Sequence, residues 1–298
     1  MPPGLRVRTV RSGEVSLALA EAGDPVRPTV VMIHGYPDTK EVWAPVMERL
    51  AADFHVVAYD VRGAGCSGAP RAVAAYDLER LADDFAAVCR AVAPKRPVHL
   101  VGHDWGGIQG WEFVCDPRFA GVIASFTSIA GPALDQAVQA PRRALRSGRW
   151  RPALSRMRRS WYIVPLCLPG GPQLAWRVLI GPRRWRRYLA AEGVPADPSY
   201  PRPTVCADGV RGAKLYRQNI PRRVLGRRRL GRAHAPVQLI VPQADRFISA
   251  SYYDAADQVA PGLRRRVVPG SHWAIRTEPG RVSEWVAEFA RVAAVLAG

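Results

Sequence analysis

The run Val101-Gly102-His103-Asp104-Trp105-Gly106-Gly107 places an aspartate at the centre of a small-x-nucleophile-x-small pattern. An apolar segment, Val98 to Val101, precedes it, and a helix-compatible stretch, Ile108 to Phe113, follows. Together they predict a tight strand-to-helix elbow that projects Asp104 into a cleft. Glycines are needed where strand and helix approach too closely for a Cβ. A serine alkoxide at such an elbow suits acyl carbons. A carboxylate can instead displace a leaving group at a saturated carbon and leave an enzyme-bound ester. Clearing the ester takes a base to activate water and an acid to orient that base. His272, in Gly270-Ser271-His272-Trp273, lies just beyond the last expected strand and can reach back over the sheet. Asp245 follows the preceding strand in Val241-Pro242-Gln243-Ala244-Asp245, and Asp135 is the alternative acid. The chain order is then nucleophile, acid, histidine.

When water attacks the ester, charge develops on an oxygen of Asp104 itself, and two backbone N–H groups are expected to meet it. Losing one such donor typically costs about 3 kcal/mol. Trp105 follows the nucleophile directly, and Tyr36, in His34-Gly35-Tyr36-Pro37, is the expected second donor. His34 reads as a loop-organising residue rather than a second base. The segment Tyr59 to Ser67 is glycine-rich, but its spacing fits neither phosphate-binding fingerprint; it reads as a turn supporting the rim of the site.

These residues need a scaffold of strands and helices in alternation. Leu5 to Val10 and Val15 to Ala20 read as a strand pair around Ser12-Gly13. Thr29 to His34 is a continuous apolar run, as expected of a strand covered on both faces, His55 to Tyr59 and Val98 to Val101 repeat that character, and Gly121 to Ile129 reads as another buried strand. Pro236 to Val241 and Leu263 to Val268 continue the series. Asp77 caps a helix whose apolar face is Leu78, Leu81, Phe85, Val88 and Val92. A closing helix presents Val282, Trp285, Val286, Phe289, Val292 and Leu296, with Pro279 in its first turn. The expected architecture is α/β: a mostly parallel central sheet with helices on both faces. Core residues 1–131 and 232–298 flank an inserted helical lid, 132–231.

Of 43 basic residues only Lys40, Lys95 and Lys214 are lysines, and the formal net charge is +18. No acidic residue lies between Asp135 and Glu192, a stretch that holds thirteen arginines, among them Arg142, Arg143, Arg149, Arg151, Arg156, Arg158 and Arg159. A second cluster runs from Arg222 to Arg232. Either the composition favours arginine throughout, or the lid makes peripheral contact with anionic membrane lipid. No recognition motif supports nucleic acid as a partner. Five scattered cysteines, none spaced as C-x-x-C, argue against a disulfide framework or a metal site. The N-terminus has no signal-peptide core, and no stretch approaches the roughly 20 apolar residues of a membrane span. A cytoplasmic protein is expected.

The motifs around His34, Asp60, Asp104 and His272 together resemble the α/β-hydrolase fold and, within it, the epoxide hydrolase family. The resemblance spans nearly the whole core. It implies two lid tyrosines whose hydroxyls hold and protonate an epoxide oxygen. Tyr162, in Ser160-Trp161-Tyr162 ahead of Pro169-Gly170, and Tyr216, in Leu215-Tyr216-Arg217, stand at matching positions; Tyr188 is an alternative. The substrate site would be lined by Trp105, Trp161 and Pro37. A small-molecule epoxide, a lipid epoxide among the candidates, is the implied substrate, and no metal or organic cofactor is implied. Haloalkane dehalogenases share the Asp-His-Asp set, and Trp105 would suit a halide, but the asparagine common at the place of Tyr36 is missing. A non-catalytic ligand-binding relative is the alternative of another class. The segment Leu215 to Arg223 also resembles the hydrolase part of actinobacterial proteins that join such a hydrolase to a short-chain dehydrogenase.

Overall fold

A computed structural model describes residues 4–148, 160–226 and 230–297, without the side chains of 141–145, 296 and 297. Arg149, Arg151, Arg156, Arg158, Arg159 and residues 227–229 therefore lie outside the described residues, as do the side chains of Arg142, Arg143 and Leu296.

β1 (Arg6–Ser12) and β2 (Val15–Ala22) pair antiparallel with Ser12 opposite Val15, so the turn falls at Gly13, whose φ is 56°. β1 runs two residues beyond the expected Val10 because its outer face is exposed and polar and the pairing continues to the turn. β3 (Thr29–Ile33), β4 (His55–Tyr59), β5 (Val98–His103) and β6 (Ile123–Ile129) follow, then β7 (Val237–Pro242) and β8 (Arg264–Val268). Among the described residues they form one sheet in the order β1-β2-β4-β3-β5-β6-β7-β8, antiparallel only where β2 meets β1 and β4.

Every residue of β3, β4 and β5 is buried, which is why these strands read as unbroken apolar runs. One face carries α2 (Leu78–Val92) and α3 (Trp105–Val114), packed around Leu81, Phe85, Trp111 and Phe126. The other carries α1 (Ala44–Leu50) and the closing helix Pro279–Ala297, around Val46, Met47, Val282 and Val286. Asp77 caps α2 by accepting from the Glu79 N–H at 3.1 Å. α3 begins at Trp105, ahead of the expected Ile108, because the Ile108 N–H already bonds to the Asp104 carbonyl at 2.9 Å.

Between β6 and β7 the described chain is helical: α4 (Leu134–Arg146), then helices Ile163–Cys167, Gly171–Leu174, Gly181–Ala191 and the long Val205–Leu225. The long helix is tied to the core by polar contacts. Asn219 Nδ2 donates to Tyr76 O at 2.9 Å, and Gly65 N–H donates to Asp208 Oδ1 at 3.1 Å. The largely covered side chain of Arg223 reaches Glu112 at 2.7 Å and also binds Asp135.

Candidate active site

Asp104 occupies the junction of β5 and α3 with φ 51° and ψ −118°. A non-glycine residue held there costs of order 1–3 kcal/mol, so its surroundings must impose it. They do. Asp104 N–H donates to Ile129 O at 3.0 Å, and a Cβ on Gly106 would lie 2.0 Å from the Ile33 carbonyl oxygen. Only glycine lets α3 cross β3 this closely. Gly35 is equally confined: its Cβ would lie 2.5 Å from Asp104 Oδ2. The loop after β3 is thereby free to close onto the nucleophile.

That closure sets the polarity of the carboxylate. Tyr36 N–H donates to Asp104 Oδ2 at 2.9 Å, and the Trp105 N–H also donates to the carboxylate. Asp104 Oδ1 instead faces His272 Nε2 at 3.8 Å. The far nitrogen of that ring, Nδ1, donates to Asp245 Oδ2 at 2.8 Å. Asp245 is itself fixed, because its Oδ1 accepts from the Phe247 and Ile248 N–H groups, both at 2.8 Å. His34 holds the loop after β3 to the loop after β4: Nε2 accepts from Val61 N–H at 2.9 Å while Nδ1 donates to Gly35 O at 2.8 Å. In that second loop Asp60 accepts from Lys40 N–H, Lys40 Nζ and Cys66 N–H at 2.8–2.9 Å.

Burial pushes the Asp104 carboxyl up to about 6, against the pull of His272 and of the two N–H groups. Burial would lower His272, yet the charge and hydrogen bond of Asp245, then Asp104 and Asp38, raise it to about 9. The resting pair at neutral pH is therefore a carboxylate beside an imidazolium.

Two tyrosines stand over this pair. Tyr216, buried on helix Val205–Leu225, packs its ring 4.9 Å from that of Trp105 and 5.1 Å from that of Tyr36. Tyr162 packs its ring 6.3 Å from that of Tyr216, edge to face. The Trp105 indole meets the Tyr216 ring edge-on. Burial, reinforced by the negative charge of Asp104, drives both phenols well above the ordinary tyrosine value, so each keeps its proton. Tyr36 lends its own hydroxyl to the wall: it donates to Gly209 O at 3.0 Å and accepts from Trp176 Nε1 at 2.6 Å.

Asp104, His272, Asp245, Tyr36, Trp105, Tyr162 and Tyr216 thus converge, and buried Pro37 adjoins them. Trp161 does not. It is 70% exposed, because a residue beside inward-facing Tyr162 on a tight helical turn points the other way. Asp135 is held by Arg223 and by the Leu230 N–H at 2.7 Å, away from His272. Tyr188 stacks on Trp185 and places its hydroxyl on Glu192. The sequence reading missed Asp38, which joins Tyr200 OH at 2.5 Å to Trp273 Nε1 at 3.1 Å beside the catalytic histidine candidate. It also missed His103, kept neutral by burial, whose Nε2 lies 2.9 Å from His272 O. Asp38 directly follows the motif His34 to Pro37 and His103 lies inside the elbow motif, the only signal either offered.

A family described as alpha/beta hydrolase fold matches residues 28–279. Over 288 residues the chain is 35% identical to a probable oxidoreductase, EphD, of Mycobacterium tuberculosis, covering 94% of this chain and 48% of that protein. It is 38% identical over 141 residues to epoxide hydrolase A of the same species, covering 47% of this chain and 43% of that protein. The chain therefore spans about half the length of these curated relatives. A Bacillus megaterium epoxide hydrolase solved with an inhibitor superposes with a TM-score of 0.78 at 20% identity, covering 96% of this chain and 100% of that one. A Vigna radiata epoxide hydrolase gives 0.77 at 21%, covering 96% and 98%. At such identities the likeness speaks for the fold. With the elbow, the sheet order and the match over residues 28–279 in agreement, the chain belongs to the α/β-hydrolase fold family.

Proposed function

We propose that the chain is an epoxide hydrolase that works through a covalent ester on Asp104. The observation that carries this reading is the pair of protonated phenols, Tyr162 and Tyr216, packed over a buried carboxylate. The segment between β6 and β7 acts as the lid that brings them there. Asp104 Oδ1, the oxygen not held by Tyr36, attacks one ring carbon. The C–O bond breaks, and a tyrosine proton passes to the departing oxygen, giving a hydroxyalkyl ester. His272, oriented by Asp245, then takes a proton from water as the water adds to the ester carbon. The N–H groups of Tyr36 and Trp105 hold the oxyanion on Oδ2. Collapse passes that proton from His272 to the leaving oxygen and frees a vicinal diol, while the second proton of the water restores the tyrosine hydroxyl and leaves Asp104 a carboxylate. The site wall of Tyr36, Trp105, Tyr162 and Phe247 is aromatic, which favours an epoxide on a hydrocarbon or lipid chain.

A haloalkane dehalogenase would use the same three residues. It would need a polar donor set for halide around the Trp105 indole, whereas the Tyr216 ring packs edge-on against that indole at 4.9 Å. Single-turnover hydrolysis of a styrene-type or fatty epoxide in heavy-oxygen water tests the proposal. The label should enter Asp104, and the first diol should carry the enzyme's own oxygen. Label confined to the first diol would refute the covalent route, and halide release from a brominated alkane without diol formation would favour the dehalogenase. Saturable epoxide binding without product, unaltered by Asp104→Ala, would mark a non-catalytic binder.

A further inference from the structure

Of the twelve large apolar side chains exposed among the described residues, six fall within residues 161–179: Trp161, Val164, Leu168, Leu174, Val178 and Leu179, between 53% and 70% exposed. Val164 lies on helix Ile163–Cys167 with Trp161 and Leu168 flanking its two ends, and Leu174 closes helix Gly171–Leu174 just ahead of Val178 and Leu179 in the following turn. The opposite face is spoken for. Leu166, Pro172 and Trp176 are buried, and Trp176 is pinned to the Tyr36 hydroxyl at 2.6 Å, so the exposed face cannot roll inward.

The charge on this stretch has one sign. Arg177 lies among the exposed apolar residues, and the next helix exposes Arg183, Arg184, Arg186 and Arg187 while turning Trp185 and Leu189 inward. No acidic residue occurs from 136 to 191. An apolar face of this kind, flanked by guanidinium groups, matches the boundary of a bilayer, where acyl chains lie under phosphates. Arginine suits it in particular, since its fork pairs with phosphate oxygens. A second copy fits poorly, because a two-fold contact would set these arginines against themselves.

We propose that the outer face of residues 161–187 docks the protein on an anionic phospholipid surface, with Val164, Leu168, Leu174, Val178 and Leu179 entering the headgroup boundary and the arginines pairing with phosphate. This goes beyond the epoxide hydrolase reading and does not depend on it, because docking needs no turnover. The test is co-sedimentation with phosphatidylcholine vesicles, with or without about one-third phosphatidylglycerol, at low and high salt. The wild type should bind the anionic vesicles at least about ten-fold better than the neutral ones and lose that binding as salt rises. Val178→Asp/Leu179→Asp and, separately, Arg186→Glu/Arg187→Glu should each weaken binding by about ten-fold or more, with unchanged thermal melting as the control for folding. Equal binding to both vesicle types, or to neither, would overturn the proposal. So would full binding by the aspartate variant, which would leave adsorption by charge alone. A concentration-dependent dimer that the aspartate variant dissolves would assign the face to a second copy, and retention of the chain on an acidic protein but not on vesicles would assign it to a protein partner; either overturns the lipid assignment.

Discussion

Asparagine at position 245 should stall the second half of the reaction while sparing the first. Asp245 Oδ1 accepts two backbone N–H groups, from Phe247 and Ile248, each at 2.8 Å, and Oδ2 accepts from His272 Nδ1 at 2.8 Å. In Asp245→Asn the amide has one acceptor oxygen, and the two N–H groups claim it. Turning the amide round would leave both donors facing an NH2, at about 1–3 kcal/mol each. The NH2 therefore faces His272, whose Nδ1 must become an acceptor, so the ring carries its proton on Nε2. That nitrogen is the one placed to take a proton from water, 3.8 Å from Asp104 Oδ1. A wrong-tautomer histidine in a comparable triad slows turnover about 10⁴-fold, or about 5.5 kcal/mol. Ester formation needs Asp104 and the tyrosines, so the adduct should accumulate. Mixing the variant with one equivalent of epoxide and following intact mass should reveal enzyme plus epoxide persisting long after the wild type has cleared it. Turnover within about ten-fold of wild type, or loss of turnover with no adduct, would refute the argument.

The phenols can be tested separately: Tyr162→Phe and Tyr216→Phe should each slow adduct formation by roughly 10²-fold with little change in adduct breakdown, read by rapid-quench mass analysis. Ester formation requires ionised Asp104, which burial pushes up to about 6, so the rate of adduct formation should fall as pH drops through 6 and stay level above it until the phenols ionise. A limb near the ordinary aspartate value would contradict the burial argument. Gly106→Ala would set a Cβ 2.0 Å from the Ile33 carbonyl oxygen, backbone against backbone. It should cost about 3 kcal/mol or more in stability, seen as a lower midpoint of thermal unfolding, whereas a near-unchanged midpoint would mean β3 and α3 can part.

The parts of this molecule that were legible in the sequence share a physical cause. β3, β4 and β5 are buried on both faces, so their residues had to be apolar without interruption. The Asp104 elbow was legible because its glycines are forced by contacts that only a strand-to-helix crossing creates. Asp245 and His272 could be placed because each follows a parallel strand and so emerges at the same edge of the sheet. The Asp38 cluster was not legible. Its partners Tyr200 and Trp273 lie 162 and 235 residues away, and nothing local in Pro37-Asp38-Thr39 distinguishes a buried acceptor from a turn residue. Trp161 failed for a related reason: motif matching assigned a neighbourhood, but side-chain direction separates Trp161 from Tyr162. Asp135 was a sound alternative acid until Arg223, 88 residues on, was seen to claim it.

A base that must be neutral to work poses a difficulty in a site that holds His272 as an imidazolium, raised to about 9 by Asp245, Asp104 and Asp38. Ester formation itself removes the difficulty. Once alkylated, Asp104 is neutral, and a charge 3.8 Å from Nε2 disappears. At an effective dielectric of 20 that charge is worth about 4 kcal/mol, or about 10³-fold in proton affinity. The imidazolium then gives up its proton near neutral pH, and Nε2 is free just when water must be activated. In the resting enzyme the same proton occupies the base and holds Asp104 ionised. Asp104→Asn supplies a neutral side chain of nearly the same shape, so it should reproduce the esterified state without substrate. Its His272 ring, followed by NMR titration, should bind a proton about 10³-fold more weakly than in wild type. If His272 titrates alike in both proteins, Asp245 alone sets its charge, and the timing of the two half-reactions needs another cause.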